Sequence, residues 1–312
     1  MRHARQLVHY FIYNSLLTLA SLFALPLLPL WLMLRPRFRP GLAQRFGSYA
    51  ASDLQRVVGM RPVWIHAASV GETLAAAAFI AALKAKSPRI KIALSTFTDT
   101  GNEIARRRAG ADAVIFLPLD HPLLVRRALA KLDPSVLIIV ETEIWPNLLR
   151  QAARRGIPVL LLSGRLSDRA LNRYLKFGAF FRSVLRYVAV CGMQSDRDAH
   201  RIASLGADAA RIVVTGNLKQ PALQGSNGKQ SPDVWGAWLA QQRRPLVVGG
   251  STHAGEEAIL VEVFRALKNR FPDLQLALAP RHPERFAQVE KFLQQSGISF
   301  DKKSRLTGIS FP

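Results

Sequence analysis

Short runs of Val, Ile and Leu, barely interrupted by polar residues and separated by stretches with helical spacing, constrain this chain more than any other feature. They cover residues 91–97, 113–117, 135–140, 158–163, 187–191 and 211–215, and a further run opens at Val63. A strand with one wet face alternates apolar and polar residues, whereas a continuous apolar run is buried on both faces. Such strands belong to a parallel sheet with helices on each side. The predicted fold is α/β with a doubly wound parallel sheet. After Gly216-Asn-Leu-Lys219 the composition turns to Gln, Gly, Ser and Pro over residues 220–232, which reads as a linker. A second unit follows, with strands expected within 244–253 and at 274–279 and helices at 256–269 and 284–295.

The stretch Val63-Trp-Ile-His-Ala-Ala-Ser-Val-Gly-Glu72 passes from an apolar run through Ser69 and Gly71 into a small-residue helix. It reads as strand, tight glycine turn and helix N-terminus. A helix N-terminus at the end of a parallel strand is a natural anion and sugar site. Glu72 stands on its lip. A carboxylate there is favoured by the positive helix end, and it is also where a general base would be held against a nucleophile's proton.

Four more constellations sit where strands end. Glu141-Thr-Glu143-Ile-Trp-Pro146 follows a strand directly, and the two carboxylates would share a face if the extended backbone continued. The alternative is a solvated loop with Pro146 opening a helix. Residues 96–101 offer hydroxyls suited to helix capping. Gly249-Gly-Ser251-Thr252-His253 repeats the strand–turn–helix pattern and suits a phosphate, or simple capping by Ser251 or Thr252. Arg281-His282 leaves the next strand, and its guanidinium suits bidentate phosphate recognition. Asp196-Arg-Asp198 has a metal-site spacing, but it opens a helix, where acids are favoured anyway. No zinc-type His/Cys spacing and no Gly-x-x-x-x-Gly-Lys-Ser/Thr loop occurs, so no metal is expected.

Residues 6–34 carry no formal charge, enough for one bilayer span, with a kinked or interfacial helix as the alternative because of Pro26 and Pro29. The run is longer than a signal-peptide core, and no small-residue cleavage site closes it. Arg35, Arg37, Arg39 and Arg45 follow as a basic collar suited to anionic head groups, and they place the remainder on the cytoplasmic side. The whole chain holds 43 basic against 21 acidic residues, a net charge of +22, which implies an anionic partner. One cysteine excludes a disulfide framework.

Taken together, these residues resemble the 3-deoxy-D-manno-octulosonic acid (Kdo) transferases of lipopolysaccharide synthesis. The resemblance rests on Arg45-Phe-Gly47, the stretch from Trp64 to Glu72, Glu141 to Asn147, Arg165-Leu-Ser167, Gly216 to Lys219, Gly250 to His253 and Pro280 to Arg285. It implies a GT-B glycosyltransferase of two Rossmann-like domains behind a membrane helix. The implied plan is an anchor and collar at 1–50, an acceptor-binding domain at 51–219, a linker at 220–243 and a partial donor domain at 244–312. The enzyme would move Kdo from CMP-Kdo to a lipid A precursor (lipid IVA) with inversion, without metal or cofactor, on the cytoplasmic side of the inner membrane. Glu72 would be the general base, with Glu141 and Glu143 as the family's acidic pair and Ser69 and Gly71 in the acceptor-side loop. Ser251, Thr252, His253, Arg281, His282, Lys219 and Asn217 would hold the donor. The family's second domain continues with further glycine-rich sequence, so truncation inside that domain is expected, and the activity of this chain is an open expectation. Arg165 also follows Gly164 where the family often has an Asn-Ala pair.

Two rivals fit less well. A dinucleotide-dependent enzyme would need Gly-x-Gly-x-x-Gly where this chain has Ser69-Val-Gly-Glu. A membrane-tethered nucleotide- or nucleic-acid-binding protein without transferase activity would exploit the basic excess, but the basic residues are spread without interleaved stacking aromatics, so no nucleic-acid partner is expected. Titration of the protein with CMP and with NAD is expected to give binding for CMP alone; tight NAD binding would favour the dinucleotide reading.

Overall fold

The computed structural model describes residues 2–34, 40–218 and 244–302. Lys219, the 220–243 stretch, Arg35, Arg37, Arg39 and the tail 303–312 lie outside the described residues. The chain divides into two compact units, Met1–Ser226 and Asn227–Pro312.

The first unit opens with α1 (Arg2–Leu34), α2 (Leu42–Arg45) and α3 (Ala51–Leu54). Then β1 (Val63–His66), α4 (Val70–Lys86), β2 (Ile92–Thr96), α5 (Asp99–Arg108), β3 (Ala113–Phe116), α6 (Pro122–Leu132) and β4 (Val136–Val140) follow. The unit continues through α7 (Pro146–Arg154), β5 (Val159–Gly164), α8 (Asp168–Leu175), α9 (Gly178–Leu185), β6 (Val190–Met193), α10 (Asp196–Ser204) and β7 (Ile212–Val214). The seven strands are all parallel, in the order β3-β2-β1-β4-β5-β6-β7. Successive residues feed two separate cores: Trp64, Leu137 and Ile139 join one, while Ile65, Ile138 and Val140 join the other. Covering both faces is why these strands are uniformly apolar.

The strand expected at 187–191 begins instead at Val190. Tyr187 and Val188 donate their N–H groups to Val184 and Leu185, closing α9. An apolar run does not by itself separate a helix's last turn from the strand after it.

The α1 helix runs unbroken through Pro26 and Pro29. Its segment Val8–Pro29 is long and apolar enough to cross a bilayer, and Phe11, Leu22 and Phe23 are exposed on it. The first turns of this segment dock on the globular unit through Phe180 of α9 and the start of α7. The Tyr10 hydroxyl donates to the Pro146 carbonyl (3.2 Å), Tyr13 donates to Asp120 Oδ2 (3.0 Å), and Asn147 Nδ2 donates to Asn14 Oδ1 (2.7 Å). Asp120 lies on the β3–α6 loop and also accepts the N–H groups of Asn147 (2.9 Å) and Leu148 (2.8 Å). It therefore caps α7, whose own N-cap residue, Trp145, provides no side-chain bond. Burial raises the Asp120 pKa to about 7 against the pull of these donors.

Arg45 departs from its expected place in an exposed collar. Its side chain is only 14% exposed, lies 4.5 Å from the Phe116 ring and 5.2 Å from the Phe97 ring, and donates to the Phe97 carbonyl (2.7 Å). It pairs with Asp99 as well, so its charge is spent inside the fold.

The second unit contains β8 (Leu246–Thr252), α11 (Glu256–Lys268), β9 (Gln275–Pro280) and α12 (Phe286–Gln295). Its two strands pair in parallel, and Val261, Val289 and Leu293 form its core. The helix expected from Glu284 starts at Phe286, because Pro283–Arg285 forms a 3-10 turn first.

Replacing Asp120 removes one helix cap and strands two buried N–H groups. Asp120→Ala is expected to lower stability by about 2–4 kcal/mol, and Tyr13→Phe by about 1 kcal/mol. Thermal melting in detergent checks both values, and an Asp120→Ala melt matching wild type would remove the cap from the account.

Candidate functional site

In this sheet the chain winds outward from β1 through β2 to β3, then returns to place β4 on the other side of β1. The loops after β1 and β4 therefore leave the sheet in opposite directions and open a crevice between them, where α/β proteins bind ligands. The first turn of α4, reached through the loop after β1, carries Glu72, and the loop after β4 carries Glu141 and Glu143. Glu72, Glu141 and Glu143 lie near enough at this switch point for the first two charges to act on Glu143.

Glu72 is the third residue of α4 and only 9% exposed. Its Oε2 accepts the Ala68 N–H (2.7 Å), its Oε1 accepts the Ser69 hydroxyl (2.8 Å), and Ser69 Oγ accepts the Glu72 N–H in return (3.4 Å). This is a capping box whose acid reaches one residue further back than usual. The Ser-x-x-Glu spacing at 69–72 carries that signal in the sequence. The tight turn expected at Gly71 lies earlier: Gly71 is inside the first turn of α4, and the chain turns at Ala67 to Ser69.

The shared face expected for Glu141 and Glu143 does not form by strand alternation. The strand stops at Val140, and Glu141 has φ 61°, which breaks the extended backbone. The carboxylates converge nonetheless. Burial first, then the charges of Glu72 and Glu141, raise the Glu143 pKa to about 7. The nearby Trp145 indole N–H pulls the other way, although it forms no hydrogen bond among the described residues.

Trp145 packs against Phe97 and His66 at the base of the acidic turn. His66, fully buried, is held to a pKa of about 4 by desolvation and bonds Ser95 through Nδ1, so it is neutral near pH 7. Its Nε2 has no hydrogen-bond partner among the described residues. Sequence reading missed His66 and Trp145 as neighbours, since their meeting depends on the pairing of β1 with β4.

Neighbouring strand ends brace the site. Thr98 caps α5 by accepting the Gly101 N–H (3.1 Å) and donates to the Ala68 carbonyl (3.2 Å), tying the second crossover to the first. A Cβ on Gly101 would stand 2.8 Å from Thr98 Oγ1, so this junction needs glycine. Thr142 Oγ1 accepts the Arg165 N–H, and Ser163 Oγ accepts the Leu218 N–H, which brings the segment beside Asn217 to the end of β5. Ser195 caps α10 by accepting the Asp198 N–H, and the Asp198 carboxylate accepts from the Ser195 hydroxyl and the Leu166 N–H, tying α10 to the end of β5.

In the second unit, Ser251 and Thr252 do not cap a helix as one reading expected. They end β8, Ser251 has φ 61°, and the residue preceding α11 is Gly255 at φ 94°. Thr252 donates to Glu257 instead (2.7 Å), and Arg285 grips the same carboxylate through two bonds of 2.9 Å. That fork holds the Glu257 pKa below the usual carboxylate range. Arg281 donates to Ser251 Oγ (3.2 Å), and the His253 and His282 rings meet edge to face at 6.1 Å. Ser251, His253, Arg281 and His282 thus share one exposed rim beside a rigid Thr252–Glu257–Arg285 brace. The brace was not foreseen, because its partners lie 28 residues apart.

The sequence profile described as 3-deoxy-D-manno-octulosonic-acid transferase matches residues 40–222. The chain is 35% identical over 296 residues to 3-deoxy-D-manno-octulosonic acid transferase of Haemophilus influenzae, covering 94% of this chain and 68% of the relative. The protein of the same name from Bordetella pertussis is 33% identical over 309 residues, covering 93% and 69%. A bifunctional glycosyltransferase/methyltransferase of Fusobacterium nucleatum is 30% identical, and the chain spans 42% of it. Among solved structures, UDP-GlcNAc 2-epimerase from Neisseria meningitidis superposes with a TM-score of 0.54 at 15% identity, covering 76% of this chain and 70% of that one. At that identity the likeness concerns the fold alone, which is of the GT-B type.

Because its pKa is raised on folding, Glu143 weakens the fold progressively as pH rises from about 4.5 through about 7. Glu143→Gln is expected to raise the melting temperature at pH 8 by about 2–4 °C and to leave it near wild type at pH 5. A variant less stable than wild type at pH 8 would contradict the raised Glu143 pKa.

Proposed function

Since the chain belongs to the Kdo transferase family, we propose that it serves an inverting transfer of Kdo from CMP-Kdo to a hydroxyl of a lipid A precursor, lipid IVA, at the cytoplasmic face of the inner membrane. The observation that carries this reading is the convergence of Glu72, Glu141 and Glu143 at the switch point of the parallel sheet. In this mechanism Glu72 accepts the proton of the acceptor hydroxyl as its oxygen bonds to the anomeric carbon. The bond from that carbon to the phosphate oxygen breaks, and the electron pair leaves with CMP. No metal enters the scheme. Positive charge must meet the departing phosphate, and Arg281, with Ser251, Thr252, His253 and His282 around it, offers the chemistry for that role, supplemented by Asn217 and Lys219.

Glu72, the proposed base, is already engaged in hydrogen bonds. Each of its oxygens already accepts one hydrogen bond, which fixes the carboxylate and leaves further lone pairs for an incoming hydroxyl. Glu143 has a complementary task. Its raised pKa lets it carry a proton near neutral pH, which lowers the negative charge facing an anionic donor. The apolar α1 segment would keep the site close to an acceptor that stays in the bilayer.

Glu72→Gln is expected to lower Kdo transfer by about 10²–10⁴-fold while leaving CMP-Kdo binding nearly intact. Transfer to lipid IVA followed by chromatography, beside a CMP-Kdo binding measurement, tests both halves; turnover at the wild-type rate would remove Glu72 as the base.

A further inference from the structure

Between α1 and α7 runs a groove of about 670 Å³ whose lining includes Tyr10, Ser15, Thr18, Leu19, Leu22 and Arg150. Residues 15, 18, 19 and 22 lie on one face of α1, since helical neighbours are three and four apart. Polarity changes along that face. The Arg150 guanidinium sits over the Tyr10 ring at 4.2 Å, Asn14 and the hydroxyls of Ser15 and Thr18 come next, and Leu19 and Leu22 follow, 52% and 64% exposed, while Phe11, 73% exposed, adds one apolar edge near the cation. This is the profile of a site for an amphiphile with its head toward Arg150.

The Arg150 Nε is buried without a hydrogen-bond acceptor among the described residues, and the neighbour its guanidinium stacks on, the Tyr10 ring, carries no charge to balance it. A guanidinium beside the start of a helix that can cross a bilayer is costly to leave unpaired. Its planar fork matches a phosphate diester. The lining contains no carboxylate that would hold the ammonium of a zwitterionic head group. We propose that this groove binds one anionic phospholipid of the surrounding bilayer, its phosphate on Arg150 and the Ser15 and Thr18 hydroxyls and an acyl chain along Leu19 and Leu22. The inference depends on α1 lying in a bilayer and not on the transferase reading.

The test is native mass spectrometry of the full chain released from nonionic detergent with dioleoylphosphatidylglycerol or dioleoylphosphatidylcholine added. Wild type is expected to retain phosphatidylglycerol about tenfold better than phosphatidylcholine, and Arg150→Gln is expected to erase the preference. Leu19→Trp fills the groove without replacing the cation and is expected to weaken retention of phosphatidylglycerol, which keeps the test decisive if Arg150→Gln fails to fold. Equal retention of both lipids by wild type, an undiminished preference in Arg150→Gln, or unchanged phosphatidylglycerol retention in Leu19→Trp would overturn the proposal. None of these readouts involves sugar transfer, so they stand or fall separately from the proposed activity.

Discussion

A parallel sheet covered on both faces has no free surface for chemistry except at the ends of its strands. In this protein that restriction governs the first unit. Trp64, Ile65, Leu137 and Ile138 are consumed by two cores on opposite sides of the sheet, so polar groups collect where β1 and β4 stop. There they crowd. Desolvation and two neighbouring carboxylates act on Glu143 together, and the fold tolerates this because Ser69, Ala68 and the α4 N-terminus hold Glu72 in place.

The same loop that carries the acids also receives the apolar helix. Pro146, Asn147 and Leu148 follow the acidic turn directly, and each bonds either to α1 or to the Asp120 cap that Tyr13 shares. A helix able to enter a bilayer is thus joined by side-chain hydrogen bonds to the start of α7, a few residues from Glu143. This linkage supplies a physical reason for a membrane segment and an acidic site to occur in one chain.

The sheet and its order of helices were legible because long apolar runs and helix starts are local signals. What failed was geometry made by distant partners. Strand alternation would put Glu141 and Glu143 on one face, yet the positive φ of Glu141 ends the strand, and the pairing of β1 with β4 sets the acidic turn beside the β1 end that leads to Glu72. Arg45 looked like a membrane-facing charge until Phe97 and Phe116, remote in sequence, enclosed it. Thr252 resembled a cap, but Arg285 and Glu257 claim it for an ion-pair brace. Asp120 gave no signal, since a cap supplied from another loop leaves no trace in the helix's own sequence. The acids themselves were visible as residues, whereas their mutual influence was not.

Glu72 and Glu143 sense one another at the end of the sheet. Carbon-13 NMR of glutamate carboxyls in the micelle-bound protein reads this directly. One resonance should titrate near pH 7, and replacing Glu72 with Gln should move that titration toward the ordinary carboxylate range. If every glutamate titrates at ordinary carboxylate values in the wild type, or if the high titration ignores the loss of Glu72, the carboxylates do not share a site and the account fails.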